Sequence, residues 1–154
     1  MLIVRTFSKW LVFAAGGLLV LVIFSVLGGV QVPWPPTETT QQKPYADFVG
    51  REYRVISGVS AYAWNNYPDK VKIQSFSLLP PPGVGNRFVS YVTPLRPGQR
   101  VRIVSAWRHF LLFGFHRYYV VSVPGAELPA GIPITMEMNS DGSPDRRYYD
   151  PIGQ

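Results

Sequence analysis

The stretch RVRIVSAW, residues 100–107, decides the class of the fold. Val101, Ile103, Ser105 and Trp107 fall on one face of an extended chain, and Arg100 and Arg102 fall on the other. That period of two marks a half-buried strand, because successive side chains of a strand point to opposite faces. Residues 132–138 repeat the pattern, with Ile132, Ile134, Met136 and Met138 alternating with Pro133, Thr135 and Glu137. Segments 52–56, 59–64, 70–78, 87–92 and 117–123 are rich in Val, Ile, Tyr, Phe and Trp and read as further strands. No helix of ordinary length fits between them.

Turn chemistry separates these segments. Pro97-Gly98 suits the centre of a type II turn, which predicts that 87–92 folds back against 100–107. PPPGVGN, residues 80–86, reads as a longer hairpin connection. Pro133 cannot donate to a ladder and places its strand at an edge or a bulge. Short strands at this spacing predict an all-β domain over 45–139, a small SH3-like or OB-like barrel, with an immunoglobulin-like β-sandwich as the alternative.

Outside this domain the chain changes character. WLVFAAGGLLVLVIFSVLGGV, residues 10–30, carries no charge over 21 residues, enough for a helix to cross a bilayer. Arg5 and Lys9 precede it, while 31–42 contains no Lys or Arg. The asymmetry places residues 1–9 in the cytoplasm and the bulk of the chain outside, in the periplasm if the cell is Gram-negative. Trp10 and Trp34 flank the run as interfacial anchors. A cleaved signal is the rival reading, although signal cores are shorter, about 7–15 residues. Small residues at 14–17, with Ser25 and Gly29, leave room for two spans to self-associate. Residues 31–44, QVPWPPTETTQQKP, read as a Pro-rich stalk with a reach of about 30–40 Å. Residues 140–154 form a polar tail, expected either to pack its tyrosines on the barrel or to act as a flexible recognition peptide.

Composition narrows the function classes. The 154 residues contain no cysteine, which rules out thiolate chemistry and lipid attachment through cysteine. From Tyr45 onward there are 12 Lys and Arg against eight Asp and Glu. Arginines and aromatics interleave over 87–119 in a way that suits single-stranded nucleic acid. An exported domain would instead meet anionic headgroups, acidic polymers or a protein.

No catalytic or cofactor motif is present. His109 and His116 would face each other across a hairpin, but no third ligand follows at a metal-binding spacing. There is no Gly-x-Ser-x-Gly elbow, and GVGN lacks the Lys-Ser or Lys-Thr of a phosphate loop. NSDGSPD, residues 139–145, reads as a turn rich in Asx residues rather than a calcium loop.

One stretch departs from ordinary loop chemistry. Phe110, Leu111, Leu112, Phe113 and Phe115 lie at the connection between two strands, where chains are normally polar. They are expected to be buried, to dock on a partner, or to dip into the membrane interface. With Arg102, Trp107 and Arg117 they form the candidate interaction surface. The expected protein is a non-enzymatic, membrane-anchored binding or assembly module of the cell envelope, with an envelope protein as partner and no nucleic acid. The alternatives are an inhibitor or immunity-type protein that blocks a toxin or hydrolase, and an envelope hydrolase without a recognisable motif.

Overall fold

The computed structural model describes residues 35–65, 72–84, 89–111 and 114–153, together with Gly17 and Leu19. The chain separates into two compact units, Met1–Pro35 with Leu111–Gly114, and Pro36–Phe110 with Phe115–Gln154. In the first unit Gly17 and Leu19 are helical. The rest of the expected span 10–30 lies outside the described residues, as do Trp10 and Trp34. Among the described residues no helix is long and apolar enough to cross a membrane.

The second unit is nearly all β. Its strands are β1 Thr37–Glu38, β2 Glu52–Val55, β3 Val59–Asn65, β4 Ile73–Leu79, β5 Val89–Leu95, β6 Arg100–Leu111, β7 Gly114–Ser122, β8 Ile134–Glu137 and β9 Tyr149–Pro151. One short 3-10 turn, Tyr45–Asp47, precedes β2. All nine strands belong to one sheet, ordered β5-β3-β4-β8-β7-β6-β2-β9, with β1 beside β6. A sandwich needs two separate sheets, so the immunoglobulin-like alternative falls. The sheet curls into a half-barrel.

Sequence pattern explains the curl. A solitary sheet must cover its apolar face, and curling lets that face cover itself. On β3, Val59, Ala61 and Ala63 are buried while Ser60, Tyr62 and Trp64 are less so. Ala61 lies opposite Leu78 and Ala63 opposite Phe76. Small residues thus face large ones across strands, as the taper of a tight barrel requires. Phe76, Leu78, Val101, Ile103, Tyr119 and Met136 complete the centre of the core.

A four-residue turn shows how far the curl goes. Gln99 N–H donates to Arg96 C=O at 3.0 Å, and Gly98 has φ +90°, the type II geometry that Pro97-Gly98 implied. The expected hairpin between residues 87–92 and 100–107 does not form. Val55 of β2 accepts from Gly98 N–H and donates to Gln99 C=O at 2.7 and 2.9 Å, so β2 rather than β5 lies beside the start of β6. The turn therefore carries the chain from the edge strand β5 almost to the opposite end of the sheet.

Other expectations change in the same way. The connection beginning at Pro80 joins β4 to β5, which flank β3 on either side, so it crosses over β3 instead of closing a hairpin. Tyr62 packs its ring where a Cβ on Gly83 would lie. Pro133 is neither at an edge nor in a bulge: the strand starts after it, and β8 lies inside the sheet between β4 and β7. Its carbonyl accepts from Phe76 N–H at 2.9 Å, which begins the parallel pairing of β4 with β8.

The expected stalk and tail are both largely part of the domain. Thr37 and Glu38 pair with Arg108 and Trp107 of β6, and Thr39 is buried. Both backbone groups of the fully buried Ala106 are bonded to this segment. Thr39 N–H donates to Ala106 C=O at 2.8 Å, and Ala106 N–H donates to Thr40 Oγ1 at 3.1 Å. At the other terminus, Tyr149–Pro151 pairs with β2, and the Tyr119 hydroxyl donates to Gly142 C=O at 2.6 Å. Burial pushes the Tyr119 phenol well above its ordinary pKa, which keeps that hydroxyl a donor. The tail packs its tyrosines; it is not a loose peptide.

Candidate interaction surface

The longest strand, β6, changes faces partway along. Val101 and Ile103 are buried and Arg102 is exposed, as alternation requires. Val104 is 53% exposed whereas Ala106, two residues on, is fully buried. The single face expected for Val101, Ile103, Ser105 and Trp107 therefore ends at Ile103. The change falls where the neighbour changes: β2 pairs with Arg100 to Arg102, Arg51 and Gly50 bond to Ile103, and β1 takes over at Trp107. Trp107 is half-buried, and its indole N–H donates to Ser105 Oγ at 2.8 Å.

Beyond this point β6 and β7 run together as a hairpin joined through residues 112–113. Phe110 and Phe115 are 42% and 52% exposed, so extension of the strands does not bury them. Their rings meet edge to face at 5.4 Å between centroids, a favoured geometry for aromatic pairs. The Arg108 guanidinium lies over the Phe115 ring, with Cζ 5.3 Å from its centroid. Arg117 is exposed and, two residues along β7, shares the face of Phe115. Phe110, Phe115, Arg108 and Arg117 thus make an apolar patch rimmed by guanidinium groups. The Leu111 side chain, Leu112 and Phe113 lie outside the described residues.

The remaining candidates are placed apart from this patch. Arg102 is exposed near the start of β6, opposite Glu52, whose carboxylate is 3.7 Å from Arg100. Such an exposed pair contributes about 0–1 kcal/mol. His116 projects to the other face of β7, where its Nε2 is 3.8 Å from Glu137 Oε1 and its ring is 5.5 Å from that of Tyr118. Among the described residues no group of three or more His, Asp or Glu is placed to hold a metal.

At the opposite end of β6 lies an open groove of about 680 Å³, lined by Thr93 to Pro97, Gln99 and Pro124 to Glu127. Arg96 and Glu127 are exposed, and the Thr93 hydroxyl is buried without a hydrogen-bond partner. Three prolines and two exposed opposite charges do not assemble a nucleophile with a base, nor a pair of carboxylates.

The apolar composition of 110–115 marked this connection in the sequence; of the three expectations for it, burial does not hold for Phe110 and Phe115. Sequence reasoning missed β1, whose anchoring to β6 sets where the chain enters the domain. The available signal was the β-branched alternation of Thr37 and Thr39, concealed among prolines. No protein-family model, curated protein or solved structure matches this chain.

Proposed function

We propose that this chain is a non-catalytic binding or assembly module of the cell envelope, anchored by residues 10–30 with its β-domain on the extracytoplasmic side. In this reading the curled sheet is a small barrel of the SH3-like or OB-like kind, left open between β5 and β9. The observation that carries the proposal is the concentration of exposed apolar side chains on one hairpin. Of five large hydrophobic residues exposed among those described, Val104, Phe110 and Phe115 lie on β6 and β7. Exposed apolar groups rimmed by arginine mark contact surfaces. The partner on the strip of Arg102 and Val104 is an envelope protein.

The test is cross-linking in intact membranes followed by recovery of the complex, comparing the unaltered chain with an Arg102→Glu, Val104→Asp double variant. Both side chains are exposed; a glutamate at 102 faces Glu52 and lowers the unfolding midpoint modestly, and in chains that remain folded the complex is expected to disappear. An unchanged complex contradicts the assignment of this strip.

A further inference from the structure

We infer that the groove at the end of β5 binds a short free peptide, held by its main chain and by its two charged ends. The site is separate from the strip of Arg102 and Val104 and adds a small ligand to the proposed binding module.

The direction of the backbone on β5 carries the argument. Polar main-chain groups of successive strand residues point to opposite edges. Phe76 N–H donates to Pro133 C=O at 2.9 Å, so Phe76 turns its groups toward β8 and Ser77 turns its own toward β3. Ser77 pairs with Tyr62, which directs Tyr62 to β4 and its neighbour Ala61 to β5. Ala61 pairs with Thr93, and the next residue, Pro94, therefore turns its carbonyl away from β3. Among the described residues no strand lies on that side of β5. The side chains of Thr93, Pro94 and Leu95 alternate between the two faces of the strand, yet all three residues line the groove. A cavity reached from both faces of a strand runs along its edge, which places the groove beside the Pro94 carbonyl.

The walls define what can enter. Pro97 and Pro124 supply apolar surface, and the volume of about 680 Å³ matches small-ligand sites, which span about 300–1,000 Å³. Arg96 comes from the turn after β5 and Glu127 from the segment after β7, and both are exposed. Among the described residues neither charge is held in an ion pair, so they do not neutralise each other. A ligand complementary to this set carries a carboxylate for Arg96, an ammonium for Glu127 and an N–H for Pro94. A zwitterionic peptide carries all three in one small molecule, and the planar guanidinium can grip its carboxylate through two hydrogen bonds. An internal segment of a protein offers the N–H but neither terminal charge. With no nucleophile or carboxylate pair in the groove, the peptide is bound and not cleaved.

The probe is tetraalanine, titrated to millimolar concentration into the full chain in detergent micelles and followed by amide chemical shifts. Saturable shifts are expected at Arg96, Gly125 and Glu127 and not at Val104. Amidating the peptide carboxylate is expected to weaken binding about two- to fivefold, the range of an exposed ion pair. That penalty should vanish in the Arg96→Gln chain. Acetylating the peptide amine should cost a similar factor, and that penalty should vanish in the Glu127→Gln chain. Both side chains are exposed, so unfolding midpoints equal to that of the unaltered chain are expected for the two variants.

The absence of saturable shifts overturns the inference. Equal affinity for tetraalanine and its acetylated, amidated form means that the groove reads main chain alone, as it would for a protein segment, and overturns the free-peptide assignment. Terminal penalties that persist in both variants place the peptide ends elsewhere and overturn it as well. None of these results bears on cross-linking at Arg102 and Val104, so the two readings fail separately.

Discussion

Replacing Thr40 by valine removes one oxygen and little volume, and the structure predicts a loss out of proportion to that change. Ala106 is fully buried, and its N–H donates to Thr40 Oγ1 at 3.1 Å. Valine leaves that N–H without an acceptor where water cannot replace it, at a cost of about 1–3 kcal/mol. Against a domain stability of about 5–15 kcal/mol the loss is large. With an ordinary urea dependence it lowers the unfolding midpoint by about 1 M. The hydroxyl also donates to Glu38 Oε1 at 2.7 Å, an exposed contact that adds little. Thr40→Ser keeps the oxygen and is the control. Urea unfolding of the full chain, with hydrogen exchange at the Ala106 amide, reads both effects: valine exposes that amide and serine does not. If the two variants unfold together, or if the Ala106 amide keeps its protection in the valine variant, the anchoring of β1 to β6 through this hydroxyl is refuted.

Three further outcomes are expected. Gly142 has φ +83°, and a Cβ there would come within 2.9 Å of Pro44 Cγ, so Gly142→Ala is expected to cost about 1–3 kcal/mol; thermal unfolding equal to the unaltered chain contradicts this. The edge strand β9 is guarded by proline. Pro151 pairs with Tyr53, and its ring nitrogen faces outward, because the next residue, Ile152, directs its N–H to Glu52 C=O. Pro151→Thr places an outward donor there and is expected to produce concentration-dependent association in sedimentation, whereas unchanged sedimentation contradicts the guarding role. Finally, the Ser143 hydroxyl and N–H hold the Asp141 carboxyl below its ordinary pKa, and hydrogen bonds from Arg147 do the same for Asp145. A depressed pKa stabilises the folded state above the unfolded value, about 3.9, and that contribution is lost as pH falls through the folded value. Amide exchange at Ser143 and Arg147 should therefore accelerate on acidification relative to the core, and Asp141→Asn should flatten the response at Ser143; a parallel response of core and segment would contradict it.

The strands were legible because their apolar residues obey a period of two. Segments 52–56, 59–64 and 100–107 correspond to β2, β3 and the first part of β6. What they pair with was not legible, because pairing depends on groups distant in sequence. Pro97-Gly98 specifies a turn, yet the bonds of Val55 decide which strand lies beside β6. The change of face within β6 was hidden for the same reason, since its cause is the handover from β2 to β1. Composition misled at both termini: Pro and Thr around β1, and polar residues around β9, read as solvated chain. Single hydroxyls and carbonyls, Thr40 on Ala106 and Gly142 on Tyr119, fix these segments to the sheet. The apolar composition of the β6–β7 connection was legible, whereas the exposure of Phe110 and Phe115 was not.

Site-specific cross-linking tests the central claim most directly. A photoreactive side chain at position 104, exposed on β6, is expected to capture a partner protein in intact membranes, whereas the same group at the exposed position 127 is not. No adduct at 104, or equal adducts at both positions, would contradict the account.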